Sequence, residues 1–136
     1  MQELKTYIVE DSPVIRESLI ATLEELGPVK VVGTAEDEAT AVRWLAHAGH
    51  VADLVIVDIF LKGGSGLGVL RAEQDDESNP QRKLVVLSNY ATPDMRRKCL
   101  ALGADRVFDK SNDIDALIKY CGFLAAGEAT GNGALT

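Results

Sequence analysis

Five short apolar runs, each separated from the next by a helical pattern, restrict this chain to one broad architecture. The runs are Tyr7-Ile8-Val9, Val29 to Val32, Leu54 to Val57, Leu84 to Leu87 and Val107-Phe108. They are rich in β-branched residues and too short for independent helices, so they are predicted strands. Between them apolar residues recur at helical spacing: Ile15, Leu19, Leu23 and Leu26; Met95, Cys99 and Leu102; Ile114, Leu117, Ile118 and Cys121. Ser12-Pro13 and Thr92-Pro93 each put a capping hydroxyl before a proline at the first helical position. Ser111 or Asn112 can cap the last helix, and Gly27, Gly49 and Gly103 fall where helices should stop. Continuous apolar strands alternating with helices predict an α/β fold: a five-stranded parallel sheet, (βα)5, with helices on both faces.

The length of 136 residues suits one domain with a real core. We expect that domain over residues 1–126, with the small, polar residues 127–136 forming a flexible tail or linker stub. Val55-Ile56-Val57 is stopped by Asp58 and Leu84 to Leu87 by Ser88, so no run approaches the roughly 20 residues of a membrane span. The N-terminus lacks the basic start and long apolar stretch of a signal peptide, and the expected location is cytoplasmic. Cys99 and Cys121 sit at apolar helical positions and read as buried free thiols. The net charge of −7 argues against direct contact with nucleic acid.

In an open parallel α/β sheet, ligands bind beyond the carboxyl ends of the strands. The first predicted strand ends in Glu10-Asp11, the third in Asp58 and the fourth in Ser88, and the fifth is followed at once by Lys110. Acids alone are weak evidence, because Glu36-Asp37-Glu38 and Asp75-Asp76-Glu77 are similar runs. The plain reading of Glu10-Asp11 is favourable charge near a helix N-terminus, but of these runs only Glu10-Asp11 ends a strand that reads as buried. Asp58 is sharper: an acid closing an apolar run beside two others should repel them, and a divalent cation would remove that cost. Oxygen ligands with room for water suit Mg²⁺. Taken singly, Lys110 is a surface lysine and Ser88 a turn former. Together with the acids they suggest phosphoryl chemistry, with Asp58 as nucleophile, Lys110 and Mg²⁺ sharing phosphoryl charge, and Ser88 donating to a phosphoryl oxygen.

At this point the chain resembles the response-regulator receiver family, over about Tyr7 to Leu124. The resemblance rests on Ile8-Val9-Glu10-Asp11-Ser12, Leu54-Val55-Ile56-Val57-Asp58, Gly64-Ser65-Gly66-Leu67, Val85-Val86-Leu87-Ser88, and Gly103-Ala104-Asp105 leading to Lys110. It implies a doubly wound sheet in the order 2-1-3-4-5. It also implies that Asp58 is the phosphoacceptor, Ser88 the switch hydroxyl and Lys110 the phosphate-pairing lysine. Asp11 and Asp58 would bind Mg²⁺ directly, Glu10 through water, and Phe60 by its main-chain carbonyl. The implied function is a phosphorylation-dependent switch of two-component systems that is not itself an enzyme. Its donor would be a sensor histidine kinase or a histidine phosphotransferase. Its output would be a protein target docked on the fourth helix, fifth strand and fifth helix.

Several positions depart from the family pattern. Val107 replaces an aromatic three residues before the lysine, and alternation sends the neighbouring Phe108 to the other face. Ser111, Lys62 and Asn89 replace two common prolines and a small residue. Phe60 and Tyr90 are bulky where they would flank the path of a hydrolytic water, which predicts a long-lived phosphorylated state. His47 and His50 read as solvated or C-capping, and Trp44 as packing. The competing readings are an aspartyl-phosphate hydrolase, a flavin carrier and a degenerate receiver acting only through protein contacts. Phe60 stands where the hydrolase would want a second acid, Glu10-Asp11 would repel a flavin phosphate, and the intact acid set opposes a degenerate role. Too few residues follow Lys110 for a DNA-binding output domain, so we expect either a stand-alone receiver or a piece of a longer regulator.

Overall fold

Each of the five apolar runs lies in a strand, with Leu54 to Val57 matching its strand and the other four strands running beyond theirs by one to three residues at an end, in a computed structural model that describes residues 3–76 and 78–127. The elements alternate as β1 (Leu4–Val9), α1 (Pro13–Leu26), β2 (Val29–Ala35), α2 (Glu38–Ala46), β3 (Leu54–Val57), α3 (Gly66–Asp75), β4 (Lys83–Ser88), α4 (Pro93–Ala101), β5 (Arg106–Asp109) and α5 (Ile114–Ala125). All neighbouring strands are parallel, in the order β2-β1-β3-β4-β5. The expected doubly wound topology is therefore the observed one. Beyond Gly127, the expected tail lies outside the described residues.

Strand alternation divides the interior in two. Tyr7, Val9, Val55, Val57, Val86 and Val107 face one core, with Ala41 and Leu45 of α2, Leu70 of α3 and Cys99 of α4. Ile8, Leu54, Ile56, Val85, Leu87 and Phe108 face the other, with Leu19 and Leu23 of α1 and Leu117 and Cys121 of α5. Val107 and Phe108 thus lie on opposite faces, as alternation required. Only the middle of the α1 stripe is buried: Ile15 and Leu26 are exposed, because the sheet reaches under Leu19 and Leu23 alone. No described helix is long and apolar enough to cross a membrane.

The caps explain where the helices begin. Ser12 Oγ accepts from the Ile15 amide and Thr92 Oγ1 from the Met95 amide, each ahead of a proline. Gly103, at φ 100°, ends α4 in the left-handed region that favours glycine. The last helix differs from expectation. Asp113 stands at its N-cap position, in place of Ser111 or Asn112, and its side chain makes no capping hydrogen bond to the helix. The Asp109 carboxylate already accepts from the Ser111 amide, which makes a turn before the helix, and Asp113 Oδ2 accepts from the Asp109 amide.

Candidate functional site

Parallel pairing brings the carboxyl ends of β1, β3, β4 and β5 to one edge. The Asp58 amide donates to the Val9 carbonyl at 3.0 Å, and the Lys110 amide to the Ser88 carbonyl at 3.1 Å. Glu10 is 3% exposed and Asp58 9%, while Asp11 is half-buried. Oxygens of Glu10, Asp11 and Asp58 all lie within 4.8 Å of one another. Lys110 closes the group: its Nζ donates to Glu10 Oε1 at 2.6 Å and to Asp58 Oδ2 at 2.8 Å. Burial works to lower the Lys110 pKa, but hydrogen bonds and charge from Asp58 and Glu10 outweigh it and hold the ammonium above its ordinary value.

The second oxygen of each buried acid also accepts a hydrogen bond. The Ile59 amide donates to Asp58 Oδ1 at 2.7 Å, and the Ser12 amide to Glu10 Oε2 at 3.0 Å. Ser88 is fully buried, and its Oγ accepts from the Tyr90 amide at 3.1 Å. Phe60 and Tyr90 are 53% and 58% exposed, and they meet edge to face with centroids 4.7 Å apart. Their rings thus contact each other, bridging the loops that follow Asp58 and Ser88. Gly66 explains the Gly64-Ser65-Gly66 motif, since a Cβ there would come within 2.1 Å of the Asp58 carbonyl oxygen.

The carboxylate trio fits a small hard cation: its donors are all oxygen, three charges converge, and only one ammonium is shared between two of them. His47 and His50 are at the opposite end of the sheet, where His47 caps α2. His50 stacks on Trp44, which stacks on Tyr7, and its Nδ1 lies 2.8 Å from the Trp44 carbonyl. Cys99 and Cys121 are buried free thiols, as expected.

Some residues at or behind the site carry roles that the sequence reading missed. Glu36 pairs with both Arg16 and Lys62, Asp37 caps α2, and Glu38 accepts from the Ser65 amide just before α3. In the sequence the run is one acidic stretch among several, and its place directly after β2 is the signal that sets it apart. Far from the site, Arg82 and Glu73 form a buried ion pair at 3.0 Å. Burial pushes the Glu73 carboxyl up against the opposing pull of Arg82.

A five-stranded doubly wound sheet with an acid cluster and a lysine at its strand ends defines a small α/β protein with its site at the topological switch point. The family model for the response regulator receiver domain matches residues 6–121. The chain belongs to the response regulator receiver domains of two-component systems. It is 41% identical over 68 residues to the transcriptional regulatory protein AruR of Pseudomonas aeruginosa, covering 49% of this chain and 28% of that one. It is 27% identical over 118 residues to a probable transcriptional regulatory protein NarL of Mycobacterium tuberculosis, covering 87% and 53%. The chain therefore spans about half the length, or less, of these relatives. The signal receiver domain of NarL from Mycobacterium tuberculosis shares the fold, with a TM-score of 0.78 at 24% identity over 93% of this chain and 99% of that one.

Proposed function

We propose that this receiver is a phosphorylation-dependent switch in which Asp58 accepts a phosphoryl group from a phosphohistidine on a sensor kinase or histidine phosphotransferase. The observation that carries this reading is the Lys110 ammonium, held between Asp58 and Glu10 inside a cluster of three carboxylates. An Asp58 carboxylate oxygen attacks phosphorus as the bond from phosphorus to imidazole nitrogen breaks. The imidazole leaves with the bonding electron pair and takes a proton from solvent, and Asp58 becomes an acyl phosphate. Lys110 neutralises charge on the transferred group. The Ser88 hydroxyl accepts from the Tyr90 amide and so keeps its own proton free to donate to a phosphoryl oxygen.

Glu10, Asp11, Asp58 and the Phe60 carbonyl would hold Mg²⁺, which when bound offsets the charge of the incoming phosphoryl group. On this reading residues 1–126 form the receiver and the remainder a tail or linker, and the chain works in the cytoplasm. It catalyses only its own phosphoryl transfer and dephosphorylation. A downstream protein would read the state at the α4–β5–α5 face, with no direct contact to nucleic acid. Incubation with a small phosphodonor and Mg²⁺ should add one acid-stable, base-labile phosphate. Labelling of Asp58→Asn to the parent's extent would show the acceptor to be elsewhere.

A further inference from the structure

Arg16 lies outside the carboxylate cluster, yet it holds the turn that carries two of its members. Its Nη1 donates to the Glu10 carbonyl at 2.9 Å, and its Nη2 pairs with Glu36 Oε2 at 3.2 Å. That carbonyl belongs to the peptide joining Glu10 to Asp11, so its direction sets where the Asp11 side chain leaves the turn. The neighbouring groups are fixed separately: the Glu10 amide donates to the Ala35 carbonyl at 2.9 Å, and the Ser12 amide to the Glu10 carboxylate. We propose that Arg16, with its fork fixed by Glu36, is a positioning residue for the cation-binding carboxylates, which rests on reading Glu10, Asp11 and Asp58 as a Mg²⁺ site. Arg16 presents separate nitrogens of one rigid fork to the carbonyl and the carboxylate, whereas a lysine has a single, shorter-reaching nitrogen to divide between them.

Lys62 supplies the contrast. It pairs with the other Glu36 oxygen at 2.5 Å, and among the described residues no hydrogen bond or ion pair joins it to the Glu10 turn. The hydrogen bond that Lys62 donates to Glu36, together with the Glu36 charge, raises the Lys62 pKa, with smaller contributions from Asp37 and Asp11, so this ammonium also lies in the field of the cluster. Removing either cation strengthens the attraction of the carboxylates for Mg²⁺. Removing Arg16 also releases the peptide that aims Asp11. The two effects have opposite signs, and they can be separated.

The test is calorimetric titration of MgCl₂ into the full chain at fixed ionic strength, with thermal melting in parallel. Arg16→Lys, which keeps the charge, should bind about tenfold more weakly, the scale on which groups that orient metal ligands act. Arg16→Gln should also bind more weakly, although it has lost a repelling charge, while Lys62→Gln should bind more tightly. A loss of fold stability alone would move the melting temperature and leave affinity well below it unchanged. Should an Arg16 variant fail to fold, Glu36→Gln carries the test: its weaker binding should persist at high ionic strength, where a charge effect is screened. The proposal is overturned if Arg16→Lys binds like the parent, if Arg16→Gln tightens as Lys62→Gln does, or if salt erases the Glu36→Gln loss. A parent that binds no Mg²⁺ would remove the cation site itself, and the role with it.

Discussion

Two buried carboxylates share one ammonium, and the third acid, Asp11, is half-buried beside them, so local geometry decides how the charges balance. The most constrained neighbour is Gly66. Any side chain there meets the backbone of Asp58, and backbone cannot swing away as a flexible side chain can. We expect Gly66→Ala to destabilise the fold by about 1–3 kcal/mol, the usual cost of overpacking. It should also slow phosphorylation by displacing the acceptor. Denaturant unfolding and labelling rates of the purified variant check both, and parental values in each would show that the α3 N-terminus yields freely. Tyr7 is the opposite case. Its hydroxyl is buried with no hydrogen-bond partner among the described residues, so Tyr7→Phe should cost little at neutral pH.

The loops after β3 and β4 are joined by the Phe60–Tyr90 ring contact. With Asp58 as the proposed acceptor, this aromatic pair beside it would exclude an attacking water rather than orient one. The phosphorylated state should therefore last minutes or longer, since each tenfold slowing needs only about 1.4 kcal/mol in the barrier. Decay of isolated phosphoprotein measures this. Phe60→Asn and Tyr90→Glu should both accelerate it, and decay within seconds in the parent would exclude the shielding role. The β4–α4 loop is also tied to β5. Arg96 donates to the Ala91 carbonyl at 3.0 Å and to the Val107 carbonyl at 2.8 Å. With a valine at position 107, no ring can swing there, and movement of Ser88 is expected to centre on the loop from Asn89 to Asp94. Amide exchange with and without beryllofluoride should show changes in this loop, extending to β5 only while Arg96 is intact. Changes confined to regions far from Ser88 would contradict this route.

Both cores bury groups that ionise only in alkali. Burial, with a lesser push from Asp37, raises Tyr7 from 10.0 to about 12. Burial raises Cys121 from 9.0 to about 11. Lys110 also lies above its ordinary 10.5, burial being outweighed by its two carboxylate partners. Each group holds its proton more tightly folded than unfolded. Its contribution is complete below the unfolded pKa and is lost as pH rises through the folded value. The urea midpoint should thus fall progressively from about pH 9 to 12, at about 1.4 kcal/mol per pH unit for each group inside its window. Tyr7→Phe should flatten the fall between pH 10 and 12. A parental slope in that variant would mean that the hydroxyl is ionised or solvated in the folded chain.

Periodicity and end residues are local properties, and they sufficed for the strands, the proline-led caps of α1 and α4, and the split of Val107 from Phe108 between faces. The rule that ligands gather at the carboxyl ends of parallel strands also assembled Glu10, Asp11, Asp58 and Lys110 from the chain alone. Tertiary structure decided what depends on distance between remote positions. It gave Glu36 two cation partners, placed Glu38 on the Ser65 amide, buried Arg82 against Glu73 and set the Phe60 ring on Tyr90. It also left Ile15 and Leu26 exposed and moved the α5 cap to Asp113. The physical reason is common to all of these. A side chain's periodicity is set by its own helix or strand, whereas its partner and its burial are set by where the sheet places another segment.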